Sequence, residues 1–286
     1  MEHEASPALA SIAVGTTIRD LLRNPPLDPV DMRILVAHVL DLSRIQLITR
    51  SEHALTTDEA MALRAALHRR MQGEPVAYIA GTREFYGLMF AVTPDVLIPR
   101  PETELLVDLA LERLQPENHV LDLGTGSGAI AVSLAHTRPD INVTAVDISK
   151  AALTVAERNA RHHAANVAFV HSDWYAALPG RRFDMIVANP PYIVEGDKHL
   201  SEGDLRFEPI NALTDHADGL SALRNIVAGA TPHLSADGWL LMEHGYDQAA
   251  AVRNLLATRG FSAVRSWKDL AGIERVSGGR LVNHFA

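Results

Sequence analysis

The tetrapeptide Asn189, Pro190, Pro191, Tyr192 follows the apolar run Met185, Ile186, Val187, Ala188, and its residue types suit one chemical task. Pro191 confines Pro190 to extended angles and Pro190 does the same to Asn189. The Asn189 side-chain oxygen and the Pro190 carbonyl therefore form a rigid pair of acceptors, and proline brings no N–H to compete. Such a pair fits a planar NH2 group, which offers two donors and whose nitrogen lone pair is conjugated into an amide or a heteroaromatic ring. In amides that conjugation shows as a rotation barrier of about 18–20 kcal/mol, so the nitrogen is a poor nucleophile until its lone pair is localised. Accepting both N–H bonds raises electron density on nitrogen and stabilises the positive charge that develops there. Tyr192 offers a face on which the planar group stacks. An isolated N-P-P-Y is also an ordinary end to a strand, so its meaning depends on what stands beside it.

A second constellation lies upstream. Gly124, Thr125, Gly126, Ser127 and Gly128 place three alternate glycines between the apolar run ending at Leu123 and a helical pattern. Glycine there lets a ligand approach the main chain closely, and the helix start is expected to offer unpaired N–H groups. The next strand ends at Asp147, about 20 residues on, where a carboxylate accepts ribose hydroxyls at a switch-point crevice. The expected ligand carries adenosine. The loop alone also satisfies the looser dinucleotide pattern, so it does not separate NAD from S-adenosylmethionine. Trp174, after the third strand, is either a purine platform or a core aromatic. The tetrapeptide favours S-adenosylmethionine, because aligning a conjugated nitrogen with a sulfonium methyl needs orientation and no base to begin the displacement. No hydride-transfer constellation accompanies the loop.

These residues need a scaffold. Strand patterns at 119–123, 142–147, 167–171, 183–188 and 239–243 alternate with helical patterns from Gly128 and over 150–163, 220–234 and 247–259, before two terminal strand candidates. The alternation predicts a doubly wound α/β fold with a mostly parallel sheet covered on both faces. Residues 16–72 carry helical periods instead. Asp28 caps a helix with Pro29 in its first turn and an apolar stripe of Val30, Ile34, Leu35, Val39 and Leu42; Thr56 and Glu59 make a capping box ahead of Met61, Leu63, Leu67 and Met71. The expected organisation is a small helical bundle over 1–83, a hairpin and linker over 84–101, and an α/β domain over 102–286.

Composition narrows the class. The chain has 286 residues, 47% hydrophobic and 21% charged, which is globular rather than disordered. With 26 Lys and Arg against 35 Asp and Glu the net charge is −9, so a broad nucleic-acid footprint is not expected. The absence of Cys excludes disulfides, Cys-ligated zinc and a cysteine nucleophile, and the 14 His show no metal-ligand spacing, so no metal is expected. No apolar window reaches membrane-helix length and Met1 to Gly15 lacks the pattern of a signal peptide, so the expectation is a cytoplasmic chain with no membrane contact.

Taken together with E-P-V-A-Y-I at 74–79, R-E-F-Y-G at 83–87, L-I-P-R-P-E-T-E at 97–104, R-F-E-P at 206–209 and E-H-G at 243–245, the glycine turn and N-P-P-Y-I at 189–193 resemble the bacterial release-factor glutamine methyltransferases. The resemblance implies a class I S-adenosylmethionine-dependent methyltransferase domain, Rossmann-like, with a helical N-terminal domain that engages the substrate protein. It implies that Gly124, Thr125, Gly126, Ser127, Gly128, Asp147, Trp174 and Asn189 contact the methyl donor. Asn189, Pro190, Pro191 and Tyr192 would hold the glutamine of the Gly-Gly-Gln motif of class I release factors, with Asn189, Pro190 and Tyr192 as the catalytic set. The protein is expected to act as a monomer in translation termination. Arg100 to Thr103 either close the donor pocket or join the domains with a helix cap, Arg206 to Pro209 fall near the substrate mouth, and Glu243 is equally a structural carboxylate. The alternative activity is methylation of an exocyclic amine, adenine N6 or guanine N2, on a flipped nucleic-acid base. A third reading is a non-catalytic nucleotide-binding protein.

Overall fold

The computed structural model describes residues 12–282; most of the N-terminal stretch considered above as a leader lies outside the described residues. The chain divides into two compact units between Gly81 and Thr82.

The first unit is helical, and among the described residues each of its first four helices begins at a side-chain cap. They are α1 (Ile18–Arg23) behind Thr17, α2 (Pro29–Val39) behind Asp28, α3 (Arg44–Thr49) behind Ser43 and α4 (Thr57–Met71) behind Thr56; α5 (Val76–Ala80) follows. The Asp28 Oδ1 accepts the Val30 N–H at 2.8 Å, and Thr56 and Glu59 cap each other reciprocally, each cap contributing about 1 kcal/mol. The buried stripes differ from those expected. On α2 the inward residues are Met32, Leu35 and Val36, whereas Val30 is 58% exposed; on α4 they are Ala60, Leu63, Ala66 and Leu67, whereas Met61 is 63% exposed. One residue along a helix is about 100° of rotation, so Met61 cannot share the face of Ala60 and Leu63.

The second unit opens with an antiparallel hairpin, β1 (Thr82–Phe85) and β2 (Leu88–Ala91), joined at Tyr86 and Gly87. Phe85 and Phe90 are buried with Leu106, Val107 and Val120. The hairpin is thus part of this unit's core, which corrects its expected place in a linker over 84–101 and moves the division to residue 81. A 3-10 turn over Pro101–Thr103 leads into α6 (Glu104–Leu111). Alternation then runs β3 (His119–Leu123), α7 (Ala129–Thr137), β4 (Asn142–Asp147), α8 (Lys150–His162), β5 (Val167–His171) and β6 (Phe183–Ala188). It continues with α9 (Ile210–Leu213), α10 (Ser221–His233), β7 (Leu234–Glu243), α11 (Ala249–Thr258), β8 (Phe261–Lys268) and β9 (Glu274–Leu281).

The seven-stranded sheet has the order β5-β4-β3-β6-β7-β9-β8, with β3 to β7 parallel and β9 antiparallel to both neighbours. The doubly wound expectation is met. Helices cover both faces, over one cluster containing Leu106, Ile130 and Val143 and another containing Ile186, Ile226 and Val252. Leu123 pairs with both Val146 and Ala188, and Ala188 with Met242. The register therefore brings the carboxyl ends of β4, β3, β6 and β7 to one edge, where Asp147, Gly124, Asn189 and Glu243 emerge. Chain order reverses at β3, and this is where such sheets open a ligand crevice.

Candidate active site

At that crevice lies a cavity of about 320 Å³, within the range of small-molecule sites. Gly124, Thr125, Gly126, Ser127, Asp147, Trp174, Asn189 and Pro191 all line it. Gly128 does not. It turns the chain into α7 at φ +82°, and a Cβ there would stand 3.0 Å from the Cβ of Ala156 on α8, so this glycine allows two helices to approach.

The turn is closed by its own surroundings. Gly124 and Thr125 both donate to the Val146 carbonyl at 2.9 Å, and Gly128 donates to the Thr125 carbonyl at 2.8 Å. The Gly126 N–H donates to Asp147 Oδ2 at 2.9 Å. The N–H groups of Gly124, Thr125, Gly126 and Gly128 are in this way satisfied within the protein, while Ser127, Ala129 and Ile130 at the helix start line the cavity. Asp147 Oδ1 accepts the Ser149 N–H at 2.8 Å, so each oxygen holds one backbone partner and keeps a lone pair for a ligand hydroxyl. Burial raises the Asp147 pKa, while the backbone N–H groups of Ser149 and Gly126 oppose that rise. Trp174 packs partly on the core and also borders the cavity, its ring 3.7 Å from where a Cβ on Gly124 would stand, so the two readings of this residue meet in one side chain.

A smaller cavity of about 60 Å³ adjoins and is lined by Pro190, Tyr192 and Ile193. Asn189, Arg100, Leu97 and Ala212 border both cavities. The Asn189 NH2 donates one of its two N–H groups to the Thr103 Oγ1 at 3.2 Å. Tyr192 is held at both ends. Its carbonyl accepts from Gln248 Nε2 at 3.0 Å, and its hydroxyl donates to Glu243 Oε1 at 3.3 Å. Glu243 is fully buried, burial pushes its pKa up to about 7, and its Oε2 has no hydrogen-bond partner. Burial also raises the Tyr192 pKa, so the phenol keeps its proton.

Arg100 and Thr103 are part of the cavity wall. Arg100 forms an ion pair with Glu208, whose side chain is fully buried and whose Oε2 accepts the Ile98 N–H at 2.9 Å. This pair ties the segment around Ile98 to the loop before α9, and Pro209, Asn211 and Ala212 then border the cavity. Sequence reasoning missed the last two, which carry no motif. It also missed Asn159, 1% exposed on α8, whose amide bonds the Ala91 backbone at 2.8 and 3.0 Å and the Ser127 carbonyl at 2.8 Å. An asparagine on the inner face of an amphipathic helix is the signal that marks it, since a buried amide must find partners.

Residues 16–81 match the PrmC N-terminal domain family and residues 101–203 the Methyltransferase small domain family. The chain is similar to the release factor glutamine methyltransferase of Burkholderia pseudomallei (strain K96243), with 57% identity over 274 residues that cover 93% of this chain and 96% of that protein. A similar relation holds to the release factor glutamine methyltransferase of Bordetella pertussis (strain Tohama I), 53% identical over 269 residues and covering 93% of this chain and 100% of that one. Among solved structures, the T. Thermophilus 16S rRNA methyltransferase RsmC in complex with AdoMet and guanosine superposes with a TM-score of 0.52 and 26% identity, over 70% of this chain and 49% of that one.

Proposed function

The chain belongs to the release factor glutamine methyltransferases, and we propose that it transfers a methyl group from S-adenosylmethionine to the side-chain amide nitrogen, N5, of the glutamine in the Gly-Gly-Gln motif of class I peptide-chain release factors, in support of translation termination. The observation that carries the reading is the position of Asn189, which borders both cavities while one N–H of its amide donates to Thr103.

The residues of the larger cavity fit the donor. The lone pairs left on both Asp147 oxygens suit two ribose hydroxyls, the Trp174 ring offers an apolar face to a purine, and the glycine turn brings main chain to the wall. When bound, S-adenosylmethionine supplies a methyl group activated by the positive charge on its sulfur. Asn189 and the Pro190 carbonyl accept the two N–H bonds of the glutamine amide and localise its lone pair, and Tyr192 fixes the plane of the amide.

The substrate is read as a protein. The net charge of −9 weighs against a broad basic footprint for RNA or DNA. The helical unit carries Ile45 and Ile48, 73% and 77% exposed and one turn apart on α3, which supports its role in engaging the release factor. A monomer acting in the cytoplasm accords with this reading; among the described residues no helix is long and apolar enough to cross a membrane.

The test is mass spectrometry of a class I release factor incubated with the protein and donor. One peptide, that containing Gly-Gly-Gln, should gain about 14 Da. A gain that persists after the glutamine is replaced by alanine refutes the site, and methylation of RNA or DNA with none on release factor refutes the substrate class.

A further inference from the structure

The tetrapeptide cannot anchor its own middle. Pro190 and Pro191 bring no N–H with which to tie the main chain to a neighbour, and the Pro190 carbonyl is kept for the substrate amide. The rigid span is therefore only as well placed as its two ends. The sheet fixes the leading end, where Ala188 pairs with Leu123 on one side and Met242 on the other. The trailing end, Tyr192, lies beyond the strand, and its main chain needs a partner from elsewhere in the fold.

That partner is Gln248, 8% exposed at the start of α11. Its Nε2 donates to the Tyr192 carbonyl at 3.0 Å and to the Gly219 carbonyl at 3.1 Å, and its Oε1 accepts the Gly245 N–H at 2.8 Å. One amide thus joins three segments: the tetrapeptide after β6, the turn before α10 and the turn after β7. The three partners also fix which way the amide points, because a flip would set NH2 against an N–H and the oxygen against two carbonyls. Gly219 lets the segments come this close. It has φ +76°, and a Cβ there would stand 2.6 Å from the Tyr192 carbonyl oxygen and 2.9 Å from Gln248 Nε2. Since the Tyr192 hydroxyl meets Glu243 at 3.3 Å, the main chain and the ring of Tyr192 are both held from the end of β7 and the turn that follows it.

We propose that Gln248 is a positioning residue for the transfer: by holding the Tyr192 carbonyl it sets where the proline-locked span ends, and with it where the Pro190 carbonyl and the Tyr192 ring meet the glutamine amide. Gln248 borders neither cavity, so it acts through the tetrapeptide and not on substrate or donor. The inference rests on the reading of Asn189 to Tyr192 as the grip on that amide.

Two variants of the full chain test it. Gln248→Met keeps the length of the side chain and removes all three bonds. Gln248→Glu keeps an oxygen that accepts from Gly245; its ionised form sets the other oxygen against two carbonyls, whereas its protonated form can donate to one of them. With release factor and S-adenosylmethionine, Gln248→Met, and Gln248→Glu at about pH 8.5, should each lower kcat by about 100-fold. Calorimetry should show S-adenosylhomocysteine affinity within about threefold of the parent. Burial raises a Glu pKa from its usual value of about 4.3, so kcat of Gln248→Glu relative to the parent should rise about tenfold as pH falls from about 8.5 to about 5.5. Loss of packing alone would not give that recovery. A Gln248→Met kcat within about twofold of the parent overturns the proposal, as does S-adenosylhomocysteine affinity that falls as far as kcat. A Gln248→Glu ratio that stays level or drops as pH falls overturns it too. If Gln248→Met does not fold, Gln248→Glu, which retains the bond to Gly245, still decides. Failure of the parent protein to methylate release factor would instead count against the functional reading, so the two failures are distinguishable.

Discussion

The two walls of the site rest on the same kind of support, assembled in different ways. Beneath the glycine turn, on the donor side, lies Asp122; beneath the tetrapeptide, on the acceptor side, lies Glu243. Each is fully buried, each accepts a hydroxyl from a site residue, Thr125 at 2.6 Å and Tyr192 at 3.3 Å, and each keeps one oxygen without a hydrogen-bond partner. The donor wall closes over short stretches of chain: Thr125 is three residues from Asp122, and Gly126 is 21 from Asp147. The acceptor wall joins partners 51, 86 and 108 residues apart, in Tyr192 to Glu243, Asn189 to Thr103 and Arg100 to Glu208. Backbone N–H groups dominate the first and side chains the second. A wall held by main chain forms with the sheet, whereas a wall held by side chains can be retuned one residue at a time while the donor pocket stays intact.

The strongest way to break this separation is at the residue both cavities share. Asn189→Ala should lower turnover on release factor by about 10²–10³-fold, as loss of one preorganised polar group at a reacting centre does, and change S-adenosylhomocysteine affinity by less than about tenfold. Single-turnover kinetics and calorimetry measure the two. Equal losses in both would mean that the walls do not act separately. Next in size is Glu208→Ala, which strips the Arg100 guanidinium and the Ile98 N–H of their partner at once. Breaking one side of such a buried pair should cost about 3 kcal/mol of unfolding free energy in a urea titration, and a loss under about 1 kcal/mol would show that the acceptor side stands without this pair.

The same contrast explains what could be read before the fold was known. The doubly wound sheet, the glycine turn and Asp147 are legible because strand-helix alternation and local spacing carry them. Asn189 to Tyr192 are legible because two consecutive prolines fix their own backbone. The supports are not. Nothing near Thr103 in sequence indicates Asn189, and Glu208 reads as a loop acid until the fold carries it to Arg100. The hairpin reads as a linker because its two short strands have no periodic length to mark them, and only Phe85 and Phe90 bury it. On α2 and α4 the helices and caps are legible, while the burial of Met32 in place of Val30 depends on which neighbour each face meets.

A pair of glycines sharpens the account of the donor wall. Gly126 and Gly128 both have positive φ, +56° and +82°, but a Cβ on Gly126 meets nothing within 4 Å, whereas one on Gly128 meets the Ala156 Cβ at 3.0 Å and its Cα at 3.2 Å. Gly126→Ala should therefore cost about 1 kcal/mol, from the left-handed conformation alone. Gly128→Ala should cost about 2 kcal/mol, because α8 must also shift. Unfolding midpoints of the two variants give the comparison, and equal values would mean that α8 yields without cost.

The donor wall also carries a dependence on pH. Burial pushes the Asp122 pKa from 3.8 up to about 7, with the Thr125 hydroxyl opposing and the nearby Asp147 adding to the rise. Below about pH 4 the carboxyl is protonated in folded and unfolded chains alike. Between about pH 4 and 7 the unfolded chain has released this proton and the folded chain retains it, so unfolding is favoured more with each step upward in pH. Above about pH 7 both states are ionised and the penalty is constant. Asp122→Asn removes this dependence and keeps an oxygen for the Thr125 hydroxyl. The variant should thus gain on the parent by about 4 kcal/mol as pH rises from about 4 to 7, and no further beyond it. Denaturant titrations of both proteins across that range read the difference directly. A gain that appears only as pH falls would reverse the sign, and would mean that Asp122 is held ionised within the fold, with the donor wall stabilised by its charge rather than burdened by it.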